Sequence, residues 1–134
     1  MTQTRGMSPA EANARNGYLT TYGRASGNAH EVEIWFAIDP ESDGRRLYML
    51  SGGRDRSDWV KNLRRNPRVR FRAGAASFEG VGRLVAPGEP LDLRARQVVA
   101  AKYQEWDERR ELSRWARESL PVVVELDGAA DSGR

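Results

Sequence analysis

EVEIWFAI, residues 31–38, alternates charged and apolar side chains before turning wholly apolar. A period of two predicts a strand, with Val32, Ile34, Phe36 and Ile38 on one face. A turn-forming run, residues 40–44, leads into a second apolar segment, 47–50, so the two are expected to pair as a hairpin. Working outward, residues 18–22, 69–72, 76–85 and 121–126 read as four more strands. Within 76–85, Gly80 and Gly82 share a face, as where a barrel wall bends sharply.

Helices punctuate these strands. Ser8-Pro9-Ala10-Glu11 reads as a capping box, with Asn16-Gly17 ending the element. Ser57 or Asp58 can cap a helix that turns Trp59, Val60 and Leu63 inward and stops before Pro67. Pro90 opens a longer helix with Leu91, Ala95, Val98, Val99, Tyr103 and Trp106 at near-helical spacing, and a further helical stretch surrounds Leu112 and Trp115. Six strands with helices inserted at two places predict a mainly β, α+β protein: a small, nearly closed six-stranded barrel. Residues 1–17 form its N-terminal helix and arm, 18–127 the barrel domain, and 128–134 an expected disordered tail.

Composition narrows the chemistry. The 134 residues include no Cys and one His, His30, which excludes disulfides and thiolate ligands and makes a metal centre or a His-based triad improbable. No apolar run is long enough to span a bilayer, and the N-terminal stretch lacks a signal-peptide core, so a cytoplasmic location is expected. The net charge of +3 is unevenly spread: residues 54–72 hold eight basic side chains against two acidic ones. Such local basicity suits a focused anionic ligand. A nucleic-acid surface is disfavoured, because only Trp59 and Phe71 interrupt the cations as stacking platforms.

Two glycine turns carry the functional signal. SGGRDRSDWVKNLRRNP, residues 51–67, joins a Gly-rich turn to a basic helix, and GRASGN, residues 23–28, sets a guanidinium and a hydroxyl between two strands. Helix starts and turns offer free N–H groups to anions, and Arg suits phosphate or carboxylate. The P-loop pattern and the dinucleotide-fold context are both missing. By pattern alone, chain punctuation with a solvated basic face stays open beside a ligand cradle. Glu31 and Glu33 share a strand face, which fits solvation better than paired-carboxylate catalysis.

LTTYGRASG, HEVEIWF, YMLSGG, DWVKNLRRNP, KYQ and LPVVVEL occur in an order that resembles the deazaflavin-dependent nitroreductase family, among the split-barrel flavin binders related to pyridoxamine-phosphate oxidase. The likeness runs from about Tyr18 to Leu126. It implies a split β-barrel holding coenzyme F-420, an 8-hydroxy-5-deazaflavin with a phosphate and an oligoglutamate tail; FMN is the alternative. It further implies hydride transfer to a small quinone-like, nitroaromatic or other unsaturated acceptor. A non-catalytic carrier of the same cofactor is the second reading. Relatives include both dimers that pair across exposed sheet surface and monomers.

Carried over by motif position, Arg24, Ser26 and Gly27 belong to the turn near the phosphate and tail, with His30 where Arg is frequent. Ile34, Trp35 and Phe36 lie beside the ring. Ser51, Gly52 and Gly53 bring backbone close to the cofactor, Trp59 and Asn62 occupy the family's Trp and Asn positions, and Tyr103 falls in an aromatic region that can face substrate. Many relatives have Lys at the positions of Ala25 and immediately before the paired glycines. Arg54 and Arg56, which follow the same turn, are expected to replace those two cations.

Overall fold

The stretch 31–38 does not stay on one strand. In the computed structural model, which describes residues 5–129, β1 (Gly17–Tyr22) is followed by β2 (Ala29–Ile34) and then, after a two-residue break, by β3 (Ala37–Ile38). β4 (Arg46–Ser51), β5 (Arg68–Ala73), β6 (Ala76–Leu84) and β7 (Leu120–Ala129) complete one antiparallel sheet in the order β2-β1-β5-β6-β7-β4-β3. There are therefore seven strands where six are expected. β2 and β3, neighbours in sequence, form opposite ends of that order, so the sheet must curl until its two edges meet at Trp35-Phe36. This curl is the split barrel.

The break has a local cause. The Phe36 N–H donates to the Tyr103 hydroxyl at 3.1 Å and its carbonyl accepts from Lys102 Nζ at 2.8 Å. Both backbone groups of Phe36 are thus satisfied by side chains of α3 (Pro90–Tyr103) rather than by a neighbouring strand. The expected hairpin survives in its second half only, where Ala37 pairs with Tyr48 and Ile38 with Leu47.

β4 is buried on both faces. Leu47 and Met49 join Leu19, Phe36, Phe71 and Phe78 inside the barrel, while Tyr48 and Leu50 pack with Val99 and Val123 beneath α3. Truncating one of these phenylalanines to Ala would cost about 3–5 kcal/mol. β6 bends where expected: its register with β7 shifts at Glu79/Gly80, and a Cβ on Gly80 would stand 2.7 Å from the Glu125 carbonyl.

The helix start signals hold better than the stops. The first helix ends at Ala12 with Asn13 as its cap, four residues before the expected Asn16-Gly17, and Gly17 already opens β1. Ser8 and Glu11 form the reciprocal capping box of α1 (Pro9–Ala12). α2 (Asp58–Arg65) stops before Asn66-Pro67, although Ser57 at its cap makes no capping bond and its Oγ instead meets Ser51 Oγ at 2.9 Å. α3 ends at Tyr103, leaving Trp106 in the following loop, and α4 (Arg114–Glu118) is capped by Ser113. β7 continues to Ala129, two residues into the stretch 128–134 expected as a tail, and residues 130–134 lie outside the described residues.

Candidate functional site

The turn after β1 closes on itself through Gly23 N–H to Asn28 O (2.7 Å) and Gly27 N–H to Gly23 O (2.8 Å). It faces the first turns of α2 across a groove of about 500 Å³ lined by Arg24, Ser26, His30, Val32, Trp59 and Asn62 among others. Asn62 is the hinge pin of this wall. Its side chain is buried; Oδ1 accepts from Arg24 Nη1 (2.8 Å) and from the Arg24 N–H (3.2 Å), while Nδ2 donates to Thr21 Oγ1 (3.3 Å). Strand, turn and helix are locked together by one amide. Gly23 leaves room for the turn's polar groups: a Cβ there would come within 2.8 Å of Ser26 Oγ and 3.1 Å of His30 Nε2.

Arg24 also borders a second depression of about 400 Å³ whose other walls are Lys61, Arg64 and Arg65. Positions 61, 64 and 65 are three and four residues apart, so they share one face of α2. None of those three makes an ion pair among the described residues, and Arg24 has only a long 3.5 Å contact with exposed Asp58. Four cations with one weak counter-charge form a positive shelf beside a groove that sets the apolar Val32 and Trp59 among polar side chains, the carboxylates of Glu31 and Asp58 included.

The expected site residues divide into two groups. Arg24, Ser26, His30, Trp59 and Asn62 converge on the groove, and Gly27 shapes the turn above it. Farther along, Ile34 is half-buried against the barrel interior, Phe36 is wholly buried, and Trp35 is exposed at the seam. Ser51 is buried beneath the loop that follows it, donating to Arg54 O at 2.9 Å, with Gly52 exposed and Gly53 half-buried above. Arg54 does not line the groove: its guanidinium donates to the Glu118 carbonyl at the end of α4. Arg56 is exposed, also outside the groove lining.

Tyr103 stacks on Trp35 with centroids 4.3 Å apart and planes 2° from parallel. Its hydroxyl donates to Arg15 O (2.7 Å) and accepts from the Phe36 N–H (3.1 Å), so both capacities serve the backbone. Burial raises its pKa, which keeps the phenol neutral at ordinary pH. Lys102, which sequence reasoning missed, donates to Ala12 O (3.0 Å) and Phe36 O (2.8 Å) and lies 3.7 Å from the Phe36 ring centroid. Burial pushes its ammonium down to about 8. Its only sequence signal is scarcity, since the chain contains two lysines, Lys61 and Lys102.

The model of the F-420H(2)-dependent quinone reductase family matches residues 10–127. The chain belongs to that family. It is accordingly an oxidoreductase whose cofactor is the deazaflavin F-420. Among solved structures, a conserved hypothetical protein from Mycobacterium tuberculosis is 26% identical, with a TM-score of 0.70 over 96% of this chain and 88% of that one. A protein described as a pyridoxamine 5'-phosphate oxidase from Listeria innocua is 17% identical (TM-score 0.63, 90% of each chain). A structure described as an F-420-H2 dependent reductase is 20% identical (TM-score 0.59, 83% of this chain, 94% of that one). These likenesses place the fold among the split barrels. No curated protein matches the chain. Among the described residues, no helix is long and apolar enough to cross a membrane.

The donor set fits the cofactor of this family. A polar turn opened by Gly23, an aromatic and aliphatic wall at Trp59 and Val32, and an unneutralised cationic shelf match a flat ring with a multiply anionic extension.

Proposed function

We propose that the chain binds F-420 in the groove between the 23–28 turn and α2 and delivers hydride to a planar, oxygen-bearing acceptor, a quinone or a nitroaromatic. The observation that carries this reading is the cationic shelf of Arg24, Lys61, Arg64 and Arg65, three of them without an ion pair among the described residues, joined through Arg24 to a groove that holds Trp59 and Val32. When bound, reduced F-420 supplies the hydride.

The chain's own residues bind and orient. Arg24, held by Asn62, offers its guanidinium to phosphate, and Ser26, Gly27 and His30 complete the polar rim. Trp59 and Val32 give the ring an apolar wall. Of the seam residues only Trp35 is exposed, and with the Gly52-Gly53 backbone it would bound the reacting end, while buried Phe36 and Ser51 and inward-packed Ile34 support it from within. With its hydroxyl committed to backbone, Tyr103 contributes by holding Trp35 rather than by moving a proton. No acid–base dyad is needed, because the protein's task is orientation. A cytoplasmic location agrees with a chain that carries no Cys.

Anaerobic mixing of the protein with reduced F-420 and menadione tests the reading. Protein-dependent return of the oxidised deazaflavin spectrum is expected. Tight binding without turnover would favour a cofactor carrier, and retention of FMN with no affinity for F-420 would overturn the assignment of the groove.

A further inference from the structure

Helix α4 is five residues long, too short to keep its geometry unaided. It is held at both ends. Ser113 Oγ accepts the Ala116 N–H at 3.1 Å, and Arg96 Nη1 donates to the carbonyls of Ala116 (2.8 Å), Arg117 (2.7 Å) and Ser119 (2.8 Å). Arg54 takes the Glu118 carbonyl, and Ser119 Oγ donates to Trp115 O at 2.6 Å. Every one of these contacts fixes the turn that carries Trp115.

The Trp115 indole meets Trp35 edge-on, with centroids 5.5 Å apart and planes at 80°, while the parallel Tyr103 ring covers Trp35 from another side. Tyr103 is itself pinned through its hydroxyl. The result is a rigid aromatic corner in which Trp35 is 37% exposed. The Trp115 Nε1–H has no hydrogen-bond partner among the described residues. It stands beside exposed Gly52, where an added Cβ would lie 3.0 Å from Nε1, so any side chain at residue 52 would crowd this donor. The corner and the groove are reached from the same two segments: Trp35 follows the groove-lining Val32 by three residues, just past the end of β2, and Gly52-Gly53 leads into the loop before the groove-lining Asp58 and Trp59.

A rigid ring platform with one idle N–H donor suits a flat molecule bearing a carbonyl oxygen at its edge. We infer that Trp115 is an acceptor-binding residue: its Nε1–H donates to a ring oxygen of a quinone that lies against the exposed side of Trp35. The identity of the occupant rests on the hydride-transfer reading above. Arg54 and Arg96 are positioning residues for this donor.

The test reads the indole N–H signals of the ¹⁵N-labelled protein, one for each of four tryptophans, with Trp115→Phe identifying the one that matters. Menadione should move the Trp115 signal downfield, whereas 2-methylnaphthalene, equally flat but without oxygen, should not. The Trp106 signal, whose N–H already donates to Arg110 O at 2.8 Å, should stay in place. Gly52→Ala should abolish the menadione shift while leaving the Trp115 signal present. In turnover, Trp115→Phe should raise the KM for menadione about 5-fold, the worth of one ordinary hydrogen bond, with kcat and F-420 affinity nearly unchanged. A Trp115 signal that ignores menadione, or answers methylnaphthalene equally, overturns the inference even if turnover is normal. A selective shift without consumption of reduced F-420 would sustain this site and sink the hydride-transfer reading instead.

Discussion

Asn62 joins the fold to the groove, so two substitutions there should separate stability from ligand binding. Asn62→Ala deletes the acceptor for Arg24 Nη1 and the donor to buried Thr21 Oγ1. Loss of one charge-assisted bond and stranding of one buried polar group cost about 2–3 kcal/mol together. At a urea m-value of roughly 1.5 kcal/mol/M this lowers the denaturation midpoint by about 1.5–2 M. Asn62→Asp keeps an acceptor for Arg24, and its second oxygen can accept from the Thr21 hydroxyl, so its midpoint should stay close to that of the parent protein. Its new charge nevertheless cancels Arg24 as an anion anchor. At an effective dielectric of 20, a unit charge about 6 Å from a bound phosphate repels it by about 3 kcal/mol. Because the Arg24 side chain is 44% exposed, screening roughly halves this, leaving an affinity loss of about 10-fold. Urea unfolding followed by tryptophan fluorescence, with F-420 titration on the same preparations, reads both quantities. An aspartate variant that binds F-420 as tightly as the parent would refute the placement of the anionic tail at Arg24.

Arg54→Ala should leave F-420 affinity within about 2-fold, because its guanidinium serves α4, whereas Arg24→Ala should weaken it by about 10-fold or more; a fluorescence titration showing the reverse order would restore Arg54 as a cofactor anchor. Burial by itself would raise the Asp39 pKa, but bonds from Arg94, the Tyr48 hydroxyl and the Glu41 N–H outweigh it and leave the value at about 2, below the ordinary 3.8. The stability this contributes is complete above about pH 4 and lost as pH falls through 2, so urea midpoints should register a decline of about 2 kcal/mol that Asp39→Asn removes. Lys102 has the opposite sign: its folded value of about 8 lies below the ordinary 10.5, so its charge opposes folding below pH 8 and the opposition is relieved as pH rises toward 10.5. Stability measured across that window should climb in the parent and stay flatter in Lys102→Met, and equal slopes would show that the ammonium is not desolvated.

What the amino-acid sequence determined by itself is what neighbours in the chain can settle. The Ser8–Glu11 capping box, the stop of α2 before Pro67, the alternation of β5 and the polar turn at residues 23–28 all follow from side chains a few positions apart, and all appear as read. The motif order grouped Arg24, His30, Trp59 and Asn62 as one expected binding set, and in the structure their side chains line one groove.

Tertiary structure decided the rest, because it depends on groups far apart in the chain. An unbroken apolar run at 34–38 has no local reason to stop being a strand. It breaks because Lys102 and Tyr103, more than sixty positions later, take the carbonyl and the N–H of Phe36. The same packing gives the sheet its seventh strand and its closure. Arg54 looks like an anion anchor while only its neighbours are considered; the carbonyl of Glu118, brought close by folding, claims it first. A cation's partner is set by which acceptor reaches it in space, and that distance is written in the packing of α4 rather than in the turn that carries the arginine.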